Sequence, residues 1–236
     1  MRQTHLCIDK QQPDLDTPFW EAKPVLCPHP KTLSLVCEDG IKRGIDILAA
    51  TLLLLFGWPL FALLALLVKC GDGGPVLFWQ IRVGKGERLF WLPKFRSMLG
   101  DAEARKSSLQ QFNERKDGVA FKMRNDPRIT GVGRFLRRFS LDELPQLWCV
   151  LIGEMSLVGP RPPIPEEVAL YSEQDRLRLT VKPGLTCLWQ IQGRGDLSFR
   201  RQVQLDLQYI QNRSLKLDLW ILWRTLPAVL SGKGAY

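Results

Sequence analysis

The longest unbroken apolar pattern in this chain runs from Ile47 to Val68, 22 uncharged residues with Pro59 near the middle. Such a run is long enough to cross a bilayer as a helix, since about 20 residues at 1.5 Å each span the hydrocarbon core. Pro59 has no amide hydrogen and its ring clashes with the preceding turn, so the pattern predicts a kink or break there. Lys42 and Arg43 precede the run, and Lys69, Arg82, Lys85 and Arg88 follow it. Positive charge marks the cytoplasmic side of a membrane, and here it stands at both ends. A helix that enters the membrane, bends at Pro59 and returns to the same face satisfies both ends; a straight span is the alternative. A signal peptide would begin nearer the N-terminus and end in small residues. A soluble core helix would carry a polar stripe, which the run lacks.

Elsewhere the pattern is shorter in period. Gly71 to Pro75 reads as a turn. Val76–Ile81 and Leu89–Phe95 have strand character and are joined by Arg82–Gly86, which predicts a hairpin. Gly100–Glu114 and Glu166–Arg178 read as helices. Leu185–Ile191 is a short apolar segment closed by Gly193-Arg194-Gly195. The last region, Phe199–Leu230, is amphipathic and carries Trp220, Ile221, Leu222 and Trp223 between Lys216 and Arg224. It reads either as a helix on the membrane interface or as one packed on the core. The organisation expected is a polar cytosolic tail over residues 1–40, a membrane helix over 41–69 and one cytosolic catalytic domain over 70–236. The fold class expected is α/β, mainly α, and membrane-associated.

Charge sharpens the picture. From Arg82 to Arg138 there are fifteen Lys/Arg against six Asp/Glu, which accounts for the whole net charge of +9. A basic block beside a membrane segment points to anionic headgroups or substrate phosphates. No nucleic-acid motif accompanies it, so nucleic acid is not expected as a partner. Six scattered cysteines and two histidines, His5 and His29, show no metal-ligand spacing; the thiols read as small apolar filler in a reducing compartment.

The candidate chemistry lies between Asn125 and Pro163. Asp142 and Glu143 are adjacent carboxylates downstream of Arg134, Arg137 and Arg138. Ser140-x-x-Glu143 matches a capping box, in which Glu143 would reach back to the Ser140 amide. The same position favours an anionic substrate, because a helix N-terminus carries positive potential. Beside arginines, Asp142 is expected to keep a low pKa and to serve as a nucleophile toward phosphorus. Glu143 could then hold Mg²⁺. Arg137, and Arg161 in its rigid Pro-Arg-Pro turn, suit bidentate phosphate binding. For Arg128, Arg134 and Arg138, solvated or membrane-facing charge is an equal reading. Gly84-Lys85-Gly86 is too short for a phosphate loop.

With these residues in view, the chain resembles the bacterial sugar transferases, the monotopic phosphoglycosyl transferases. The resemblance covers about residues 41–236 and rests on ordered motifs: Lys42-Arg43-x-x-Asp46, Pro59, Gly74-Pro75-Val76, Lys94–Met98, Asp126-Pro127-Arg128, Ser140–Leu147, Met155–Pro162 and Leu185–Arg194. It implies transfer of a sugar-1-phosphate from a UDP-sugar to undecaprenyl phosphate at the cytoplasmic face of the inner membrane, with release of UMP. It implies Asp142 as nucleophile, Glu143 as Mg²⁺ ligand, Arg137 and Arg161 as substrate-binding residues, and a re-entrant helix broken at Pro59. The ending resembles hexose-1-phosphate transferases, which favours glucose or galactose. Such a reaction would start an exopolysaccharide, capsule or O-antigen repeat. A homodimer is compatible with it. Departures are Trp58 before the proline where a serine is frequent, Cys149 for asparagine, Glu154 for aspartate and Gly195 for asparagine. The reading from another class is a silent membrane scaffold of a polysaccharide assembly complex; intact Asp142, Glu143, Arg137 and Arg161 weigh against it.

Overall fold

In the computed structural model, residues 33–114, 121, 123, 125–232 and 234 are described. Residues 1–32 of the expected tail, with His5, His29, Cys7 and Cys27, lie outside them. Helix α1 begins at Leu33, ahead of the expected residue 41, and runs to Asp72. It passes through Pro59 without interruption, so the expected break is not seen as a gap in the helix. One missing amide in the middle of forty residues removes a single hydrogen bond, which the flanking turns tolerate.

Contacts of α1 recur every three or four residues along one face. Asp39, Lys42, Arg43 and Asp46 bond to the globular domain. Ala50, Leu64 and Val68 are buried against it, with Leu54 and Phe61 partly packed. Every other face is bare: Leu48, Leu55, Phe56, Trp58 and Leu66 are exposed. Only 11% of the most apolar window of α1 is buried, which excludes the core helix of a water-soluble domain. By length and composition the helix can cross a membrane. The chain is thus mainly helical, with one long, largely exposed apolar helix at its start.

The expected hairpin is present. Strands β1 (Leu77–Val83) and β2 (Leu89–Phe95) pair antiparallel, with Ile81 opposite Trp91. The period-2 alternation sends Phe90 and Leu92 of β2 into the core, and Lys94 shares that face. Gly100–Glu114 does not form the expected helix; only α2 (Lys106–Leu109) does. Ser107 and Ser108 spend their hydroxyls on the carbonyls of Ala104 and Arg105, competing with helix continuation.

Helix α3 (Gly131–Arg138) is capped by Thr130, whose Oγ1 accepts from the Gly133 amide at 2.9 Å. A Cβ at Gly133 would stand 1.9 Å from the Ser97 carbonyl oxygen, so only glycine lets α3 approach this close. A 3₁₀ turn over Leu141–Gln146 leads into α4 (Leu147–Ile152). Strand β3 (Ser156–Val158) pairs parallel with β4 (Gly184–Thr186). A Cβ at Gly159 would stand 2.5 Å from the Lys182 carbonyl oxygen and one at Gly184 2.0 Å from the Gly159 amide nitrogen, which keeps glycine at both.

The expected helix Glu166–Arg178 is two, α5 (Pro165–Ala169) and α6 (Glu173–Arg176). The interruption has a local cause: Ser172 caps α6 in a capping box with Asp175, while Tyr171 turns inward. After α7 (Leu188–Gln192), the C-terminal amphipathic region splits into α8 (Phe199–Gln211) and α9 (Leu215–Ser231), the latter capped by Ser214. The core-packed reading holds for one face of α9. Asp218 and Ile221 are buried, whereas Leu219, Trp220, Trp223, Leu226 and Leu230 are exposed. The main core gathers Leu147, Val150, Met155, Leu157, Leu188 and Leu205 between these elements.

Candidate active site

Ser140 adopts a left-handed conformation, φ 53° and ψ 23°, which reverses the chain between α3 and the 3₁₀ turn. Backbone strain of this kind at a non-glycine residue is retained only where its surroundings enforce it. It sets Asp142 and Glu143 on the first turn of the 3₁₀ segment, with Asp142 buried. The capping box expected here does not form, because the Ser140 side chain makes no capping hydrogen bond. Glu143 is committed elsewhere.

Its Oε1 accepts from Lys94 Nζ at 3.2 Å and from Arg161 Nη1 at 2.8 Å. Lys94 comes from β2, and Arg161 from the turn after β3. That turn is stapled on both sides. Gly159 N donates to the Thr186 carbonyl and Gly184 N to that of Pro160, while Val83 N donates to Pro163 and Arg82 Nη1 to Pro162, each near 2.9–3.0 Å. Arg137 on α3 donates from Nε to Ser97 Oγ at 2.9 Å, which aims its guanidinium across the start of the 3₁₀ turn. Electrostatic coupling ties Arg137 to Asp142. Of the four predicted site residues, Glu143 and Arg161 are in direct contact, and Asp142 and Arg137 share their field. Pro59, the fifth residue singled out, lies on α1 in an exposed apolar stretch.

Burial and charge divide the two carboxylates. Burial raises the Glu143 pKa, but Arg161 and Lys94 overcome it and hold the group well below the usual carboxylate range. Burial and the neighbouring Glu143 charge raise Asp142, against the pull of Lys94, Arg137 and Arg161. The expected low pKa of Asp142 is therefore reversed, since desolvation and a like charge outweigh the cations. A carboxylate so raised is more basic, hence a better nucleophile once ionised. Burial pushes the Lys94 ammonium down to about 8, with Glu143 opposing. Arg82 falls to about 10 through burial and the charge of Arg161.

Two cations that the residue-level reading did not single out belong to this site. Lys94 was visible in sequence only as part of a motif; its inward position follows from the alternation of β2. Arg194 lies beyond α7 with φ 49°, is 8% exposed and has Nη1 buried without a hydrogen-bond partner among the described residues. Burial lowers its pKa, and the Glu143 charge opposes that shift. A buried guanidinium nitrogen left unpaired is a position for an incoming anion. Arg128, by contrast, is structural: buried, it binds Asp126 through Nε and Nη2 at 2.7–3.2 Å. Arg134 and Arg138 are exposed.

Among the described residues, no cluster of three His, Cys, Asp or Glu side chains gathers. Mg²⁺ needs none, since it binds through one or two carboxylates together with substrate phosphates. The Asp142–Glu143 pair is such a donor set, and both hydrogen bonds to Glu143 land on a single oxygen, Oε1. The thiols meet the reading as filler in part: Cys149 and Cys187 are buried, and Cys70 is exposed.

Two carboxylates framed by Lys94, Arg137, Arg161 and Arg194 are suited to displacement at phosphorus, with the cations receiving phosphate oxygens. Comparison with known proteins agrees with that chemistry. The family model described as bacterial sugar transferase matches residues 37–232. The chain is 44% identical over 198 residues to the exopolysaccharide production protein ExoY of Rhizobium meliloti (strain 1021), covering 83% of this chain and 88% of that protein. It is 43% identical over 204 residues to the undecaprenyl-phosphate galactose phosphotransferase of Salmonella typhimurium, 83% of this chain and 42% of the relative. A similar match, 43% over 206 residues, covers 83% of this chain and 37% of the undecaprenyl-phosphate glucose phosphotransferase of Komagataeibacter xylinus. An extended match of this kind, spanning α1, the carboxylate pair and α9, places the chain in the bacterial sugar transferase family.

Proposed function

We propose that this protein transfers glucose-1-phosphate or galactose-1-phosphate from a UDP-sugar to undecaprenyl phosphate, releasing UMP and starting exopolysaccharide, capsule or O-antigen assembly. The observation that carries the reading is the division of labour in the carboxylate pair. Glu143 is held ionised by Arg161 and Lys94, whereas burial and the Glu143 charge raise the adjacent Asp142 in basicity. The names of the relatives supply the acceptor and the two hexoses.

The reaction runs as two displacements at one phosphorus. An Asp142 carboxylate oxygen attacks the sugar-bearing phosphorus, the P–O bond to the uridine phosphate breaks, and UMP leaves with its electron pair. The undecaprenyl phosphate oxygen then attacks the same phosphorus, and Asp142 departs as a carboxylate. Arg137, Arg161 and Arg194 receive phosphate oxygens through paired N–H donors. Glu143 would hold Mg²⁺, which would supply charge neutralisation for the diphosphate. Lys94 keeps Glu143 ionised and oriented.

Such a reaction joins a cytosolic donor to a lipid acceptor, so the site must sit at the membrane surface. Residues on both sides of Pro59 contact the same domain along one face of α1. This supports a helix that enters and leaves on one face, because a straight span would carry one end away from the domain. Exposed Trp220 and Trp223 of α9 fit the headgroup level. The face is then the cytoplasmic side of the inner membrane, where UDP-sugars are found.

UMP release from a panel of UDP-sugars, with undecaprenyl phosphate and Mg²⁺, tests the reading. Release from UDP-glucose or UDP-galactose, lost in Asp142→Asn, is the expected outcome. No release from any donor, with folded protein in the membrane, would favour the scaffold reading.

A further inference from the structure

We propose that Lys42 and Asp46 of the membrane helix are positioning residues for Arg161, acting through strand β3. Asp46, 4% exposed, accepts from the Leu157 amide at 3.0 Å. Lys42 Nζ donates to the Val158 carbonyl at 3.1 Å and to Asp218 Oδ2 at 2.5 Å. Tyr209 donates its hydroxyl hydrogen to Asp218 Oδ1 at 2.8 Å, and the Tyr209 hydroxyl oxygen stands 3.1 Å from the same Val158 carbonyl. Beside β4, the Ser156 amide donates to the Pro183 carbonyl and the Gly159 amide to that of Thr186. Strand β3 therefore has β4 on one edge and two side chains of α1 on the other, which satisfy groups that a third strand would otherwise cover.

The strand so held is three residues long and ends three residues before Arg161. Three residues with one partner strand cannot hold their own place. The far end of the turn is fixed by Arg82 and Val83 from β1 and its start by Thr186 and Gly184 of β4, so α1 acts on the strand that leads into it. Arg43 strengthens the grip by donating to the carbonyls of Val150 and Leu151, at 2.6 and 2.8 Å, where α4 ends. Seating of the membrane helix and placement of the guanidinium on Glu143 are thereby one geometric condition. A donor bound at Arg161 meets a complete site only when α1 is docked.

This inference rests on the proposed substrate-binding role of Arg161, and the experiment separates the two. Full-length wild type, Asp46→Ala, Asp46→Asn, Lys42→Met, Lys42→Arg and Arg161→Lys are purified in lipid nanodiscs. KM for the UDP-sugar that is turned over, kcat, UDP binding and thermal midpoint are read for each. Asp46→Ala and Lys42→Met are expected to raise KM about tenfold, and UDP dissociation in parallel, with a smaller change in kcat. Asp46→Asn keeps an acceptor for Leu157 N, and Lys42→Arg keeps a donor for Val158 O, so both should return to within about threefold of wild type. Should Asp46→Ala fail to accumulate, Lys42→Met carries the comparison. A lowered thermal midpoint with unchanged KM and UDP binding would overturn the inference, leaving these residues as structural only. If Arg161→Lys raises KM while the α1 variants do not, the inference fails alone. If Arg161→Lys leaves KM unchanged, the substrate role of Arg161 fails and takes the inference with it.

Discussion

Arg161 and Glu143 stand 18 residues apart in sequence and 2.8 Å apart in space, joined by a charge-assisted hydrogen bond in a half-buried site. Bonds of this type are about twice as strong as neutral ones. Lys94 completes the contact from a third element. Glu143→Gln removes the anion that both cations share and leaves them to repel each other. Turnover is expected to fall on the order of 10²-fold, with the Mg²⁺ requirement altered. UMP release across a Mg²⁺ titration checks it; unchanged rate and Mg²⁺ response would reject the role given to Glu143.

Asp142 has the opposite situation, raised rather than pinned. Asp142→Asn should lower turnover about 10³-fold or more while leaving membrane association and folding near wild type. Rapid quench with a radiolabelled sugar phosphate should trap label on the native chain and none on the variant. Normal turnover in Asp142→Asn would rule out the nucleophile assignment.

The pH profile should be bell-shaped. On the acid side, Asp142 takes up a proton at a higher pH than a free aspartate, and activity falls as it does so. On the alkaline side, Lys94 loses its proton near 8 and activity falls again. Stability should follow the opposite sign there. The folded pKa of Lys94 is below its ordinary 10.5, so its contribution to stability rises as pH rises from about 8 toward 10.5. An alkaline loss of rate without a loss of thermal midpoint is the expected signature. Parallel loss of both would attribute the limb to unfolding.

Arg178 and Asp206 form an ion pair in the interior, with Tyr171 accepting from Arg178 Nη1 at 3.0 Å. Both charged side chains are buried, at 5% and 1% exposure. Asp206→Ala strands an unpaired guanidinium there and should cost about 3–5 kcal/mol of stability. A paired apolar replacement of both residues should recover much of that loss. Chemical denaturation of the three proteins measures it, and a near-neutral Asp206→Ala would contradict the buried pair.

Cys70 is exposed near the end of α1, and Cys37 belongs to its first turns. Both should react with an impermeant thiol reagent from the cytoplasmic side only. Labelling of Cys37 from the periplasm would establish a straight span and remove the same-face reading of α1.

Much was legible along the chain because its causes are local. An apolar run without a polar stripe declares a membrane helix, alternation declares the β1–β2 hairpin, and adjacent acids downstream of arginines mark a phosphate site. Where neighbours in space compete with neighbours in sequence, the local signals misled. Ser140-x-x-Glu143 has the spacing of a capping box, yet Arg161 and Lys94 take the Glu143 carboxylate because a charged partner in a buried site outweighs a cap. At Pro59 the helix continues without a gap. The raised pKa of Asp142 depends on burial, which spacing does not carry. The sequence by itself determined the long apolar helix, the hairpin and the adjacent carboxylates proposed to react. The tertiary structure alone decided which cations surround that pair, and that Lys42 and Asp46 grip β3, because those contacts join residues far apart along the chain.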